Sequence, residues 1–200
     1  MGGRGAASSG DPRNRYGKPF DISKYNINEK KFRPREMANL TEALTFMEKQ
    51  FGDISDAAGE ITKKYLGSTT AGLHDHGFDS FGRVTPRQTL FNTSGQAAAE
   101  DMVHELTHAV AEEMASNATK LGFKDRDEFY NTLRTEAYKA AGKEERNYDG
   151  RKWKDRAIEF PAIQMENVYI AAKHGYSVDG VTEAAMNRLK QYWKQYNRSK

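Results

Sequence analysis

Apolar residues recur at helical spacing in long, separated stretches of this chain. In the first, Pro34 opens a predicted helix whose Met37, Leu40, Leu44, Met47 and Phe51 share one face, and Gly52 closes it. Proline fits a first turn because the N–H it lacks has no partner there, and glycine ends a helix by taking left-handed backbone. Asp53 or Ser55 can cap a second helix that carries Ile54, Ala58, Ile61 and Tyr65 and ends near Gly67. From Gln96 to Ser116 no proline interrupts the chain, alanine is frequent, and Met102, Leu106, Val110 and Met114 recur at helical intervals. That pattern predicts a helix of about twenty residues with Ser94 as its cap. Further helices are expected from Asp125 to Ala141, stopped near Gly142, and beyond a cap at Ser177 or Asp179, where Val181, Ala185, Leu189, Tyr192, Trp193 and Tyr196 line up. Strand signals are few: Gly82 to Asn92 reads as one or two short strands broken at Pro86. The expected fold class is α+β, mostly helical with a small sheet, and not a doubly wound parallel sheet.

The long alanine-rich helix carries His104-Glu105-Leu106-Thr107-His108 near its middle. One turn separates the two histidines, so both imidazoles can meet one zinc ion while Glu105 stays beside the ion's open coordination position. A catalytic zinc needs a third protein ligand, and the histidine of the extended signature is absent, since Met114 stands six residues beyond His108. Downstream, Ile158 to Asn167 places Glu159 and Glu166 seven residues apart, two helical turns on one face, in a largely apolar stretch. An unpaired carboxylate is costly to bury, so an acid there should have a partner, and a metal is a good one. Glu159 is the first choice for the third ligand and Glu166 the second. Pro161 favours a helix that starts at this point, with Glu159 at its opening and Glu166 inside it. From there Glu166 can instead hold a zinc-bound histidine by its second ring nitrogen.

At these residues the chain resembles the bacterial effector and toxin zinc metallopeptidases, the NleD-type effectors and, more distantly, the clostridial neurotoxin light chains. His104 to Ala109 matches their active helix, Glu159 falls where their ligand glutamate stands, and Glu166-Asn167 matches a later Glu-Asn pair. The resemblance spans Thr89 to Gly175, and departs where Ile158 stands in place of an acid before the ligand glutamate. It implies a zincin-like metallopeptidase domain with one catalytic Zn2+, acting on a protein or peptide in a host or competitor cell. It also implies export by a specialised bacterial system or as part of a larger toxin. In the expected chemistry Glu105 takes a proton from zinc-activated water and returns it to the leaving amine. Tyr169 is the first candidate to stabilise the tetrahedral oxygen, with Lys173, His174 and Tyr176 as alternatives. In such zincins a strand before the active helix forms the sheet edge along which substrate lies; here that edge is expected at Gln88, Thr89, Leu90 and Phe91, although composition alone fits a plain core strand as well.

His74 and His76 lie between glycines in Gly72 to Asp79, as in a loop or hairpin, where an HxH pair suits a second metal, a substrate-binding or lid role, or an ordinary polar loop. The 200 residues, 37% hydrophobic, support one domain with a real core, expected over 20–200 after a flexible glycine-, serine- and arginine-rich segment at 1–19. No stretch is long and apolar enough to cross a membrane, and no signal-peptide core follows Met1. With no cysteine, structural disulfides are excluded, and no serine carries the strained-turn motif of a serine hydrolase. The 31 Lys and Arg residues face 28 Asp and Glu, a net charge of +3, so basic clusters such as Lys143 to Arg156 read as solvated faces. No stable nucleic-acid partner is expected, and the protein is expected to be a monomer. The competing function class is a non-catalytic protein- or nucleic-acid-binding module using that basic surface.

Overall fold

The computed structural model describes residues 20–67, 70–75, 86–94, 97–145 and 156–200. The glycine-rich opening, His76 and residues 146–155 lie outside them. Helix α1 (Pro34–Phe51) begins as its sequence predicts, and the Glu36 carboxylate folds back to accept the Arg33 N–H at 2.8 Å. Its other oxygen receives the Lys63 ammonium at 2.6 Å, an ion pair shielded from water at both ends. Gly52, at φ +78°, ends the helix.

The second predicted helix does not run to Gly67. Only one turn forms, α2 (Ser55–Ala58), before Gly59 takes φ +62° and the chain enters strand β2 (Glu60–Lys64). Gly59 also lies where a Cβ would stand 2.2 Å from the Arg87 carbonyl oxygen, so the chain can cross there only without a side chain. Preceding β2 in the chain is the two-residue strand β1 (Asn26–Ile27), and following it are β3 (Gly72–Asp75) and β4 (Gln88–Asn92). The sheet order is β1-β2-β4-β3, parallel from β1 through β4, with β3 antiparallel to β4.

This order corrects the expected edge. Gln88 to Phe91 is an internal strand, held by β2 on one side and β3 on the other. Thr89, Leu90 and Phe91 are all buried, and three consecutive buried positions mean that both faces of the strand are covered. The edge beside it is β3, which carries His74, and no described strand lies on its outer side.

Helix α3 (Ala99–Ala115) carries the two-histidine motif and is buried around most of its circumference. Its cap is Ala98 and not Ser94: Asp101, in the first turn, accepts the Ala98 N–H at 3.0 Å. Helix α4 (Arg126–Ala140) starts where expected, its cap Asp125 accepting the Glu128 N–H, and of the two candidate caps for α6 (Gly180–Arg198) it is Asp179 that accepts the Thr182 N–H. Helix α5 (Phe160–His174) has Pro161 in its first turn and Glu159 at its N-terminal boundary. Leu40, Leu44 and Met47 of α1 share a core with Met102, Leu106 and Met114 of α3 and with Leu133, Met165 and Leu189 from α4, α5 and α6. The result is a mostly helical α+β domain with one small, open, mixed sheet. No described helix is long and apolar enough to cross a membrane.

Candidate metal centre

Helix α5 begins so that Glu159 faces the two histidines of α3. His104 Nε2 and His108 Nε2 stand 3.3 Å apart, and Glu159 Oε2 lies 3.3 Å from the first and 3.1 Å from the second. Hydrogen bonding accounts for at most two sides of this triangle. With the carboxylate ionised, at most two N–H protons serve three contacts. A cation does account for it, because four ligands at about 2.0–2.1 Å from a tetrahedral ion stand about 3.3 Å from one another. Imidazole nitrogens and a carboxylate oxygen are also the donors a zinc site uses. Among the described residues this is the one cluster of three such side chains.

The two candidate acids take different places. Glu166, two turns into α5, brings Oε2 to 3.2 Å from His104 Nδ1, the nitrogen facing away from the triangle. A carboxylate on that side fixes the ring's orientation and raises its basicity at Nε2. Burial disfavours a charged His104, but the hydrogen bonds to Glu159 and Glu166 outweigh it and raise the pKa to about 9. Burial likewise works against the Glu159 carboxylate, and the two histidines override it, lowering the pKa to about 2. The metal-free cluster is therefore held as an ion pair, and a metal that binds must displace a proton.

Glu105 lies against the sheet edge and close enough to the cluster for His108, His104 and Glu159 to act on its charge. It is buried and has no hydrogen-bond partner among the described residues. Burial raises its pKa, His108 and His104 pull it down, and the neighbouring charges of Glu159 and Asp101 push it up, with a net rise. Its side chain lies against Gly72 of β3, where a Cβ would come within 2.3 Å of Glu105 Cγ. Farther along, Arg87, which precedes β4, pairs with Glu113 of α3. Asp75 is the register partner of Gln88, so β3 passes from Glu105 at Gly72 toward Glu113 at Asp75 and runs along α3 in the same direction.

Other expected positions fall elsewhere. The Tyr169 hydroxyl donates to Glu42 Oε1 of α1 at 2.6 Å, and its ring packs edge-on against Phe46, within the core. His174 is at the exposed last turn of α5, stacked on Tyr176, and the helical rise carries it about 20 Å along the axis from Glu159. Neither is in the cluster, so the role of oxyanion donor is not supported for either. Asn167 faces a surface groove with Tyr138, Gln164 and Thr182, on another side of α5 from its neighbour Glu166. The buried His74 shares its strand face with Gly72, and its Nδ1 lies 3.2 Å from the Thr89 hydroxyl. That hydroxyl gives its proton to the Ala58 carbonyl, so His74 Nδ1 is the donor in their bond. Thr89, Leu90 and Phe91 are interior, which leaves the edge role to β3.

Two carboxylates on α3 escaped the sequence reading. Glu112 receives Arg126 through two nitrogens, at 2.9 and 2.7 Å, together with the Tyr130 hydroxyl. Glu113 receives Arg87 and the Tyr196 hydroxyl. Burial, reinforced by Glu112, holds the Tyr130 hydroxyl well above the usual phenol range. The available signal is spacing: Glu112 continues the i, i+4 series of His104 and His108, so an acid was due on the same side of the helix. No protein-family model matches the chain, and neither a curated protein nor a solved structure matches it.

Proposed function

We propose that the protein is a zinc-dependent endopeptidase, with His104, His108 and Glu159 as the metal's ligands and Glu105 as the general base. The observation that carries this reading is the triangle of two Nε2 atoms and one Oε2 with the edge lengths of a tetrahedral site. Zinc in such a site supplies Lewis acidity, which acidifies water and polarises a carbonyl oxygen. Glu105, buried with no hydrogen bond among the described residues, accepts the proton from the attacking water and delivers it to the leaving amine. Glu166 keeps the His104 ring turned so that Nε2 remains the donor.

An extended peptide suits the sheet edge beside Glu105. The Asn92 N–H donates to the Ala71 carbonyl at 2.9 Å, which makes those residues a hydrogen-bonded pair of the antiparallel ladder. Such pairs alternate, so the peptide groups of Gly72 are directed away from β4, toward the side on which no described strand lies. A substrate main chain added there lies next to the base. The substrate class is thus an unfolded or loop segment of a protein. The resemblance to effector and toxin peptidases rests on these same residues and makes a target-cell protein the substrate of choice.

The test pairs zinc analysis with digestion of an unfolded protein substrate. The wild type is expected to hold one zinc per chain and to cleave. Glu105→Gln is expected to keep the zinc and lose roughly 10²–10⁴-fold in rate, and His108→Ala to lose the zinc. A wild type with no stoichiometric zinc, or cleavage that survives Glu105→Gln, overturns the proposal and favours a binding module.

A further inference from the structure

Gly72 is the one described glycine whose missing side chain makes room for an α3 side chain. A Cβ there would stand 2.3 Å from Glu105 Cγ, 2.8 Å from Cδ and 2.9 Å from Oε1, below any normal carbon contact. Its backbone does not require glycine on other grounds, since positive φ is confined to Gly52, Gly59, Gly67, Gly122, Gly142 and Gly175 among the described residues. Space alone therefore explains the residue: the Glu105 carboxylate lies along the backbone of the edge strand, and any β-carbon would occupy its volume.

We infer that Gly72 is the positioning residue for Glu105, the absence of a side chain letting the edge strand press the carboxylate into its working orientation. This deepens the peptidase reading and rests on it. Glu105 has no hydrogen bond to hold it among the described residues, so packing must fix its direction. The strand that supplies this packing also turns the Gly72 peptide groups away from β4, toward the side on which no described strand lies. One residue thus sets the distance between the base and a peptide lying on the edge. A shift of about 1 Å in a reacting group can cost about a hundredfold in rate.

A double-mutant cycle on the full chain tests the contact without any appeal to activity. Gly72→Ala in the wild-type background is expected to lower the melting temperature by roughly 5 °C through overpacking. In a Glu105→Ala background, where the volume is vacant, the same change is expected to alter it by no more than about 1 °C. Equal shifts in both backgrounds, or no shift in either, overturn the inference. With a cleavable peptide, Gly72→Ala is expected to lower kcat about a hundredfold at unchanged KM and unchanged zinc content. A raised KM at unchanged kcat overturns it as well, because the strand and not the carboxylate has then moved. If the wild type binds zinc and cleaves nothing, the peptidase reading fails while the thermal cycle still reports on the contact.

Discussion

Glu159 and Glu166 show how the same residue type acquires different work from a few ångströms of placement. Glu159 Oε2 joins the two Nε2 atoms, whereas Glu166 reaches only the far nitrogen of His104. Glu166→Gln is therefore expected to weaken zinc by about 10–100-fold, as loss of an outer partner does, while leaving one zinc per chain at saturation. Glu159→Gln removes the charge of the proposed third ligand and is expected to cost more, as read by competition with a chelating dye. The reverse ranking would exchange their roles. That Glu159 stands with the two histidines was legible in the sequence because the motif is local and Pro161 marks where α5 starts. Tyr169 was not legible in the same way. Its closeness to Glu166 along the chain does not say what its hydroxyl meets, and one turn farther along α5 the side chain reaches Glu42 and Phe46 of α1. Gly72 could not be recognised either, since its reason for being glycine lies in a residue 33 positions away.

At the scale of elements, helices were readable wherever a cap and an apolar stripe agree. Asp125 and Asp179 start α4 and α6 as expected, and Gly52 ends α1. The strands were harder. Ile54, Ala58, Ile61 and Tyr65 fit a helical period, yet the turn at Gly59 splits them between a short helix and β2. Whether Gln88 to Phe91 is edge or interior depends on what pairs with it, and neither β2 nor β3 announces itself by alternating apolar residues. Lys63 is the clearest case: a lysine at an inward position of β2 argues against a strand until Glu36 is known to lie opposite. That pair joins the sheet to the start of α1, with both side chains almost fully buried. Lys63→Met leaves the Glu36 carboxylate without its counter-charge and is expected to destabilise the fold by about 3–5 kcal/mol in denaturant unfolding. Adding Glu36→Leu should recover most of that loss, since the cost lies in the stranded charge more than in the missing attraction. A Lys63→Met variant as stable as wild type would mean that the pair contributes nothing at this position.

For the whole molecule, the candidate metal cluster is a tie between α3 and α5, joining residues 51 positions apart at His108 and Glu159. A ligand that binds only the folded chain adds its binding free energy to stability, about 2.7 kcal/mol at a hundredfold excess over Kd, or roughly 5–10 °C in melting temperature for a chain of this size. How that increment varies with pH follows from the ion pair the metal replaces. His104 has its pKa raised from 6.5 to about 9, so its contribution to the metal-free fold is complete below pH 6.5 and is lost as pH climbs through 9. Glu159 has its pKa lowered from 4.5 to about 2, so its contribution is complete above pH 4.5 and is lost as pH falls toward 2. These are two views of one pair, which is fully formed only between pH 4.5 and 6.5. Stripped protein should therefore lose stability between pH 6.5 and 9, while zinc, no longer competing with the His104 proton, binds more tightly over the same range. The gap between zinc-loaded and chelator-treated melting temperatures is expected to widen from pH 6.5 to 9, with proton release on zinc addition that declines in step. A gap that stays constant across that window, with no protons released at its acid end, would mean that the His104 proton and the metal do not share a site.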